Sequence, residues 1–295
     1  MAQRTPPLVV GIDGSAPSLR AAQWAAAVAD RCGTSLRLVH STVTVGHSFT
    51  DAAVVAIHAA AVAAQQDTAH RVLDAAKTFV TEHYPRLIVD VVTVDAPAGD
   101  ALVRMSGEAA LVVLGCDDVT PAAALLIGST TLRIAGAAAC PVVAWREVAR
   151  PGTEPVVVGV DGTPAGTAAL AAAFEFADRY GAPITAVHSW WTGMDGDEVT
   201  VPHLIDWDAL REAEWSLLTD AVEPWQQKYP HVQVSILLDD AKPGRALLAR
   251  LAGAQLVVVG NHRGSVLSAA LLGSTSLNLL HHARVPVMIC RAGSA

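Results

Sequence analysis

The sequence predicts an α/β protein built as two tandem, doubly wound, five-stranded parallel-sheet domains. Three observations carry that expectation. The chain repeats itself: LVVGIDGSAPS opens at residue 8 and VVVGVDGTPAG at residue 156, and one interval relates Gly11 to Gly159, Asp13 to Asp161 and His40 to His188. Within each copy, short runs rich in Val, Ile and Leu alternate with longer Ala-rich stretches, the pattern of β-α-β units. The short runs are apolar throughout, as strands buried on both faces are. A chain of 295 residues is also too long for one ordinary core and suits two domains of about 150 residues.

Each element of the first copy follows in order. Leu8–Ile12 is the first strand, and Ser18–Arg31 a helix with an Ala/Trp/Val face. Leu36–His40 is the second strand. Asp51–Glu82 is helical, with a break near its start. Leu87–Val94 is the third strand, Asp100–Ser106 a short helix and Ala110–Gly115 the fourth strand. Gly128–Ala138 is a helix and Pro141–Trp145 the fifth strand. Beyond the second strand the repeat interval shortens: His83-Tyr84-Pro85 matches Lys228-Tyr229-Pro230, Gly115 matches Gly260, Gly128-Ser129-Thr130 matches Gly273-Ser274-Thr275, and Pro141 matches Pro286. The two copies therefore differ in length between Ser41 and His83. The domains are read as 1–147 and 156–295, with 148–155 a polar Pro/Gly linker.

Composition removes several classes of function. The hydrophobic share is 52% and the charged share 16%, enough apolar surface for large cores. The net charge of −8 comes without any basic run, so a nucleic-acid partner is not expected. Four cysteines form no C-x-x-C pair and read as reduced thiols of a cytoplasmic protein. No apolar run is long enough for a signal peptide or a membrane span.

In an open parallel sheet, ligands bind beyond the carboxyl ends of the strands where the strand order reverses. The loops after the first and fourth strands are the candidates. Gly273-Ser274-Thr275 opens a helix, where glycine lets the backbone approach a ligand and the unpaired N–H groups suit phosphate. The plainer reading is a turn with a Ser/Thr cap. Its occurrence at matched positions in both copies favours the ligand.

The Gly-x-x-Gly, nine residues, Gly-Ser/Thr arrangement after a V-V-x-G strand resembles the ATP loop of the universal stress proteins. The opening V-G-x-D-G-S/T and the closing P-V strand are similar to that family too, and the likeness covers both copies. The resemblance implies an adenine nucleotide alpha hydrolase-like fold that binds ATP, with Mg²⁺. It implies adenine and ribose near Gly11, Asp13, Val39 and His40 in the first copy, and near Gly159, Asp161, Val187 and His188 in the second. Phosphates would lie along Gly115, Gly128, Ser129 and Thr130, and along Gly260, Arg263, Gly264, Gly273, Ser274 and Thr275. It also implies pairing of the two domains through their fifth strands, and a homodimer.

Both copies depart from the motif, with Asp118 and Arg263 at its second glycine. Asp118, beside Asp117, brings negative charge toward the phosphates. Arg263 can instead donate a forked pair of hydrogen bonds, and Gly264 restores flexibility one residue later. The second site is therefore expected to bind ATP better.

Other chemistry finds little support. A G-x-x-x-x-G-K-S/T loop, a G-x-G-x-x-G fingerprint and a G-x-S-x-G elbow are all missing. Adjacent His281 and His282 diverge on a helix and cannot easily share a metal. Trp190 and Trp191 follow the second strand of the second copy, where packing is the plainer role and an adenine wall the sharper one. The residues 191–207 read as a polar lid. An ATP-binding regulatory or stress-response module is the expectation, with no catalytic residue and no fast hydrolysis. The alternative is an interaction scaffold of the same fold that binds no nucleotide.

Overall fold

The computed structural model describes residues 5–42, 52–116, 128–147, 150–190, 206–261 and 272–293. The chain divides into two compact units at Arg150–Pro151. In the first, β1 (Leu8–Gly11), β2 (Leu36–Thr42), β3 (Val89–Asp95), β4 (Leu111–Gly115) and β5 (Val142–Trp145) lie in the order β3-β2-β1-β4-β5. Every pairing described among them is parallel. In the second, β6 (Val156–Val160), β7 (Ile184–Ser189), β8 (Val234–Asp239), β9 (Leu256–Gly260) and β10 (Val287–Cys290) repeat that order as β8-β7-β6-β9-β10, again parallel. The order reverses between β1 and β4, and between β6 and β9, which opens a crevice at their carboxyl ends.

The central strands are buried because both faces are covered. Val9, Val10, Val112, Val113, Val157, Val158, Val257 and Val258 are all essentially inaccessible. Helices α1 (Ala16–Cys32), α2 (Ala52–His83), α3 (Ala98–Met105) and α4 (Ser129–Ala137) serve the first sheet. Their counterparts are α5 (Pro164–Tyr180), α6 (Trp207–Lys228), α7 (Pro243–Leu248) and α8 (Ser274–His282). One face of the first core joins Val9, Val112 and Val142 of the sheet to Leu102 of α3 and Ile134 of α4. In the second unit Phe174 of α5 is fully buried and stacks on Trp225 and Tyr229. Among the described residues all four cysteines are free thiols, and burial pushes the Cys140 thiol up to about 12.

Local chemistry sets the helix ends. Ser15 caps α1 by accepting from the Ser18 N–H at 3.3 Å, and Thr163 caps α5 by accepting from the Gly166 N–H at 3.1 Å. These caps move the start of α1 two residues ahead of the expected Ser18. Helix α2 runs without the expected break. The segment read from composition as the end of a linker is fastened to the second unit. Buried Gln255 accepts from the Gly152 N–H at 2.8 Å and donates through Nε2 to the carbonyls of Gly152 and Glu154. The second compact unit accordingly starts at Pro151.

Candidate functional site

The crevice of the second unit is an open cleft with about 730 Å³ of space, part of it continuous with solvent. One wall is apolar: Val187 from β7, Pro243 and Leu247 from α7, and Val259 from β9. The opposite end is polar, made by Gly260 and by the start of α8 at Gly273, Ser274, Thr275 and Ser276. Asp161 and Ser189 complete the rim.

The polar end is built on a helix start that lacks a side-chain cap. Gly273 is the residue before α8, and glycine has no side chain with which to cap a helix. The first intrahelical bond is donated by the Leu277 N–H to the Gly273 carbonyl at 2.9 Å, so the N–H groups of the first turn have no partner within the helix. Gly273 is held in place by Asn261, whose Oδ1 accepts from the Gly273 N–H at 3.1 Å. The α4 start has the same construction, with Gly128 ahead of Ser129 and Thr130. At the position of Asn261 stands Cys116, whose Sγ lies 3.8 Å from the Thr131 hydroxyl.

Asp161 divides its carboxylate between two tasks. Oδ1 accepts from the Thr163 N–H at 3.0 Å and the Thr163 hydroxyl at 2.7 Å, which fixes the cap of α5. Oδ2 makes no hydrogen bond with any described residue, and Asp161 lines the cleft. In the first unit Asp13 Oδ1 accepts from the Ser15 N–H at 2.9 Å. Burial acts to raise the Asp13 pKa, but hydrogen bonding from Ser15 and Ser18 outweighs it and holds the carboxyl below its ordinary 3.8. Gly14 and Gly162 follow these aspartates at φ 86° and 69°, a left-handed turn that favours glycine.

The repeated Val-His-Ser at the end of β2 and β7 is a brace for the sheet. Val187 and Ser189 line the cleft, while His188 between them is on the other face of the strand. His188 Nδ1 donates to the Val160 carbonyl at 2.6 Å, and His40 Nδ1 donates to the Ile12 carbonyl at 2.7 Å. Ser189 donates to the Ala241 carbonyl at 2.6 Å, and Ser41 to that of Ala96. Three adjacent strands are thus cross-linked at their carboxyl edge. The side chains of the two histidines are engaged in bracing the sheet, each held by the carbonyl of the neighbouring strand.

Sequence reasoning missed Glu214. It reaches from α6 to His188, with Oε2 2.7 Å from Nε2. A carbonyl can only accept, so the Nδ1 of His188 carries a proton, and the carboxylate contact requires a second one between the partners. No spacing rule joins these positions, since only the packing of α6 on β7 brings them together.

The strand-end glycines also have a packing role. A Cβ on Gly115 would lie 2.5 Å from the Pro17 carbonyl oxygen and the Ser18 nitrogen, and one on Gly260 2.5 Å from the carbonyl carbon of Ala165. Here α1 and α5, the helices that follow the neighbouring strands β1 and β6, press their backbones against β4 and β9. Gly11 and Gly159 make room for leucine side chains, Leu114 and Leu102 at the first and Leu247 at the second. Val39 is buried at the end of β2, where Val187 lines the cleft of the other unit. Trp190 packs edge-on against Trp207, with ring centroids 6.3 Å apart. Asp117, Asp118, Arg263, Gly264, Trp191 and most of the expected lid lie outside the described residues. Among the described residues no three metal-ligating side chains converge, and no helix is long and apolar enough to cross a membrane.

A twice-repeated, doubly wound parallel sheet with an uncapped helix start at its switch point defines a class: the doubly wound α/β proteins. The comparisons narrow it. The model of the universal stress protein family matches residues 5–146 and again 152–291. A universal stress protein of Mycobacterium tuberculosis is 34% identical over 291 residues, spanning 96% of each chain. One from Mycolicibacterium smegmatis is 30% identical over 290 residues, again 96% of each. A solved universal stress protein structure from Archaeoglobus fulgidus matches the fold with a TM-score of 0.70 at 16% identity, covering 98% of this chain and 97% of that one. The chain belongs to the universal stress protein family, in tandem form.

Proposed function

We propose that the second unit binds ATP, and that the protein acts as a nucleotide-responsive regulatory module rather than a catalyst. The observation that carries this reading is the α8 start: a glycine-preceded helix of nine residues whose first turn, with Ser274, Thr275 and Ser276, lines a cleft that also has an apolar wall. Phosphate oxygens match the donors of such a helix start. The base would lie against Val187, Leu247 and Val259, and Asp161 Oδ2 would accept from the ribose or the base. Arg263 and Gly264, which precede α8 in the sequence, would complete the phosphate contacts, and Gly115, Gly128, Ser129 and Thr130 would form the weaker counterpart in the first unit. Mg²⁺ would arrive on the phosphates, whose hard oxygens are its preferred ligands. Binding to the folded state alone would stabilise it in proportion to ligand concentration and could shift a partner-binding equilibrium.

The test is to denature the purified protein, resolve released nucleotides by anion exchange, and titrate ATP by calorimetry with Mg²⁺ present. We expect close to one equivalent at the tighter site, and loss of that site in Ser274→Ala/Thr275→Val. Absence of released nucleotide together with absence of heat would overturn the reading. The remaining alternative, an interaction scaffold, is favoured by Trp215 and Leu217, large apolar residues each exposed on α6.

A further inference from the structure

Beside the nucleotide cleft of the second unit runs a shallow groove between α7 and α8, with about 1140 Å³ of open space. It shares Pro243, Ser274 and Thr275 with the cleft, so the two are continuous at its polar end. Its other lining includes Lys242, Arg245 and Asn278. Both charged residues are cationic. The Arg245 side chain makes no hydrogen bond or ion pair with any described residue, and the acceptor Asn278 Oδ1 is buried without a partner among the described residues.

The first unit shows what the same place holds when it is closed. Through the repeat, Asp100 stands where Arg245 does, Arg133 where Asn278 does, and Pro97 where Lys242 does. There Arg133 crosses over Gly99 of α3 and pairs with Asp100. A Cβ on Gly99 would lie 2.7 Å from Arg133 Cδ, and one on Gly244 would lie 2.6 Å from Asn278 Oδ1. Both glycines therefore let the α4 or α8 side chain cross the neighbouring helix. Arginine is long enough to bridge the two helices and neutralise the place. Asparagine is not, and the charge opposite it is reversed. Three matched positions thus move together, from a neutral ion pair to two cations.

We propose that the α7–α8 groove of the second unit is an anion subsite for an oligophosphate. Its cations and the hydroxyls of Ser274 and Thr275 form a continuous run of donors leading out of the cleft. Two sources share that chemistry: the phosphate tail of a nucleotide seated in the cleft, and a free inorganic oligophosphate. The first source rests on the nucleotide reading above and the second does not.

The experiment titrates the full-length protein with AMP, ATP and inorganic tripolyphosphate by calorimetry. The same titrations are run on Arg245→Asp/Asn278→Arg, which installs the ion pair of the first unit. Arg245→Gln is a milder change at an exposed position and guards against misfolding of the double variant. If the free anion is the ligand, tripolyphosphate binds the wild type and weakens at least tenfold in the double variant and about threefold in Arg245→Gln, while AMP binding is unchanged. If the nucleotide tail is the ligand, the preference for ATP over AMP falls by those factors. Tripolyphosphate binding that responds to the variants, with AMP and ATP both silent, would sink the nucleotide reading and support the groove. Unchanged tripolyphosphate binding together with an unchanged ATP-to-AMP ratio in both variants would overturn the proposal.

Discussion

At the carboxyl edge of the first sheet, Arg133 pairs with Asp100, and His40 is tied to the Ile12 carbonyl. At the matched edge of the second sheet, Arg245 and Asn278 occupy the first two positions, and His188 reaches past its carbonyl to Glu214. The residues matched to Glu214 and Leu218 in the first unit are Ala69 and Leu73, both buried in the flank of α2. Both copies therefore keep the backbone frame and the internal brace, and differ in the charges along the open edge. A duplicated fold can hold its glycines, caps and strand cores fixed while one copy closes a groove and the other leaves it cationic. That separation of frame from edge can be broken in a definite order.

The largest effect belongs to the frame. Gly115→Ala would drive a methyl into the backbone of α1, and Gly260→Ala into that of α5. Neither contact is with a flexible side-chain end that could move aside. We expect a loss of about 3 kcal/mol or more at either position, at the upper end of overpacking costs. Urea unfolding read by hydrogen exchange in each unit would measure it. Equal losses support a common frame, while a loss below about 1 kcal/mol at one site would show that this helix can retreat from its strand.

Glu214→Ala comes next, and it should act on the second unit only. It removes the hydrogen-bond partner of His188 Nε2, at a cost of about 1 kcal/mol for a bond that is partly open to water. Glu214→Gln keeps an acceptor and should recover part of that loss. Hydrogen exchange in α6 reads the effect. Unchanged protection in Glu214→Ala would mean that Val222 and Leu218 alone hold α6 on the sheet.

How much of this could be read from the sequence depends on the range of the interaction. The doubly wound class and the loops at its switch point were legible because the repeat, the all-apolar runs and the β-α alternation are local signals. The α8 start was legible for the same reason, since Gly273-Ser274-Thr275 carries its chemistry in three consecutive residues. The brace was only half legible. His40 and His188 stood out as a repeated motif, but which face of the strand each side chain takes depends on register. Glu214, Gln255 and the Asp100–Arg133 pair were not legible. Each joins elements whose distance in sequence says nothing about their distance in space.

The caps offer a smaller contrast. Thr163 accepts from Gly166 at 3.1 Å while being gripped by Asp161 through two donors, whereas the Ser15 to Ser18 contact is longer at 3.3 Å. Thr163→Ala should cost about 1–1.5 kcal/mol and Ser15→Ala about 0.5–1 kcal/mol, within the usual range for N-caps. Thermal unfolding of the two single variants and the double variant would check both the ranking and its additivity. A larger loss in Ser15→Ala would show that the grip of Asp161 adds nothing to the cap.

The smallest effect is the acid dependence contributed by Asp13. Its carboxyl titrates below the ordinary 3.8 in the folded protein, because hydrogen bonding at Ser15 and Ser18 outweighs the upward pull of burial. A group whose folded pKa is depressed stabilises the protein fully above its unfolded pKa, and that contribution fades as pH falls through the folded value. The stability difference between wild type and Asp13→Asn should therefore be level above about pH 5 and shrink below about pH 4. Because Asp13 is exposed, solvent screening keeps the difference small. Melting temperatures of the two proteins from pH 6 to pH 3 give the test. A difference that stays level through pH 3, or grows on acidification, would mean that the ionised carboxylate is not what holds the Ser15 turn. The turn would then rest on Gly14 and its left-handed φ, a backbone device that the second copy repeats at Gly162.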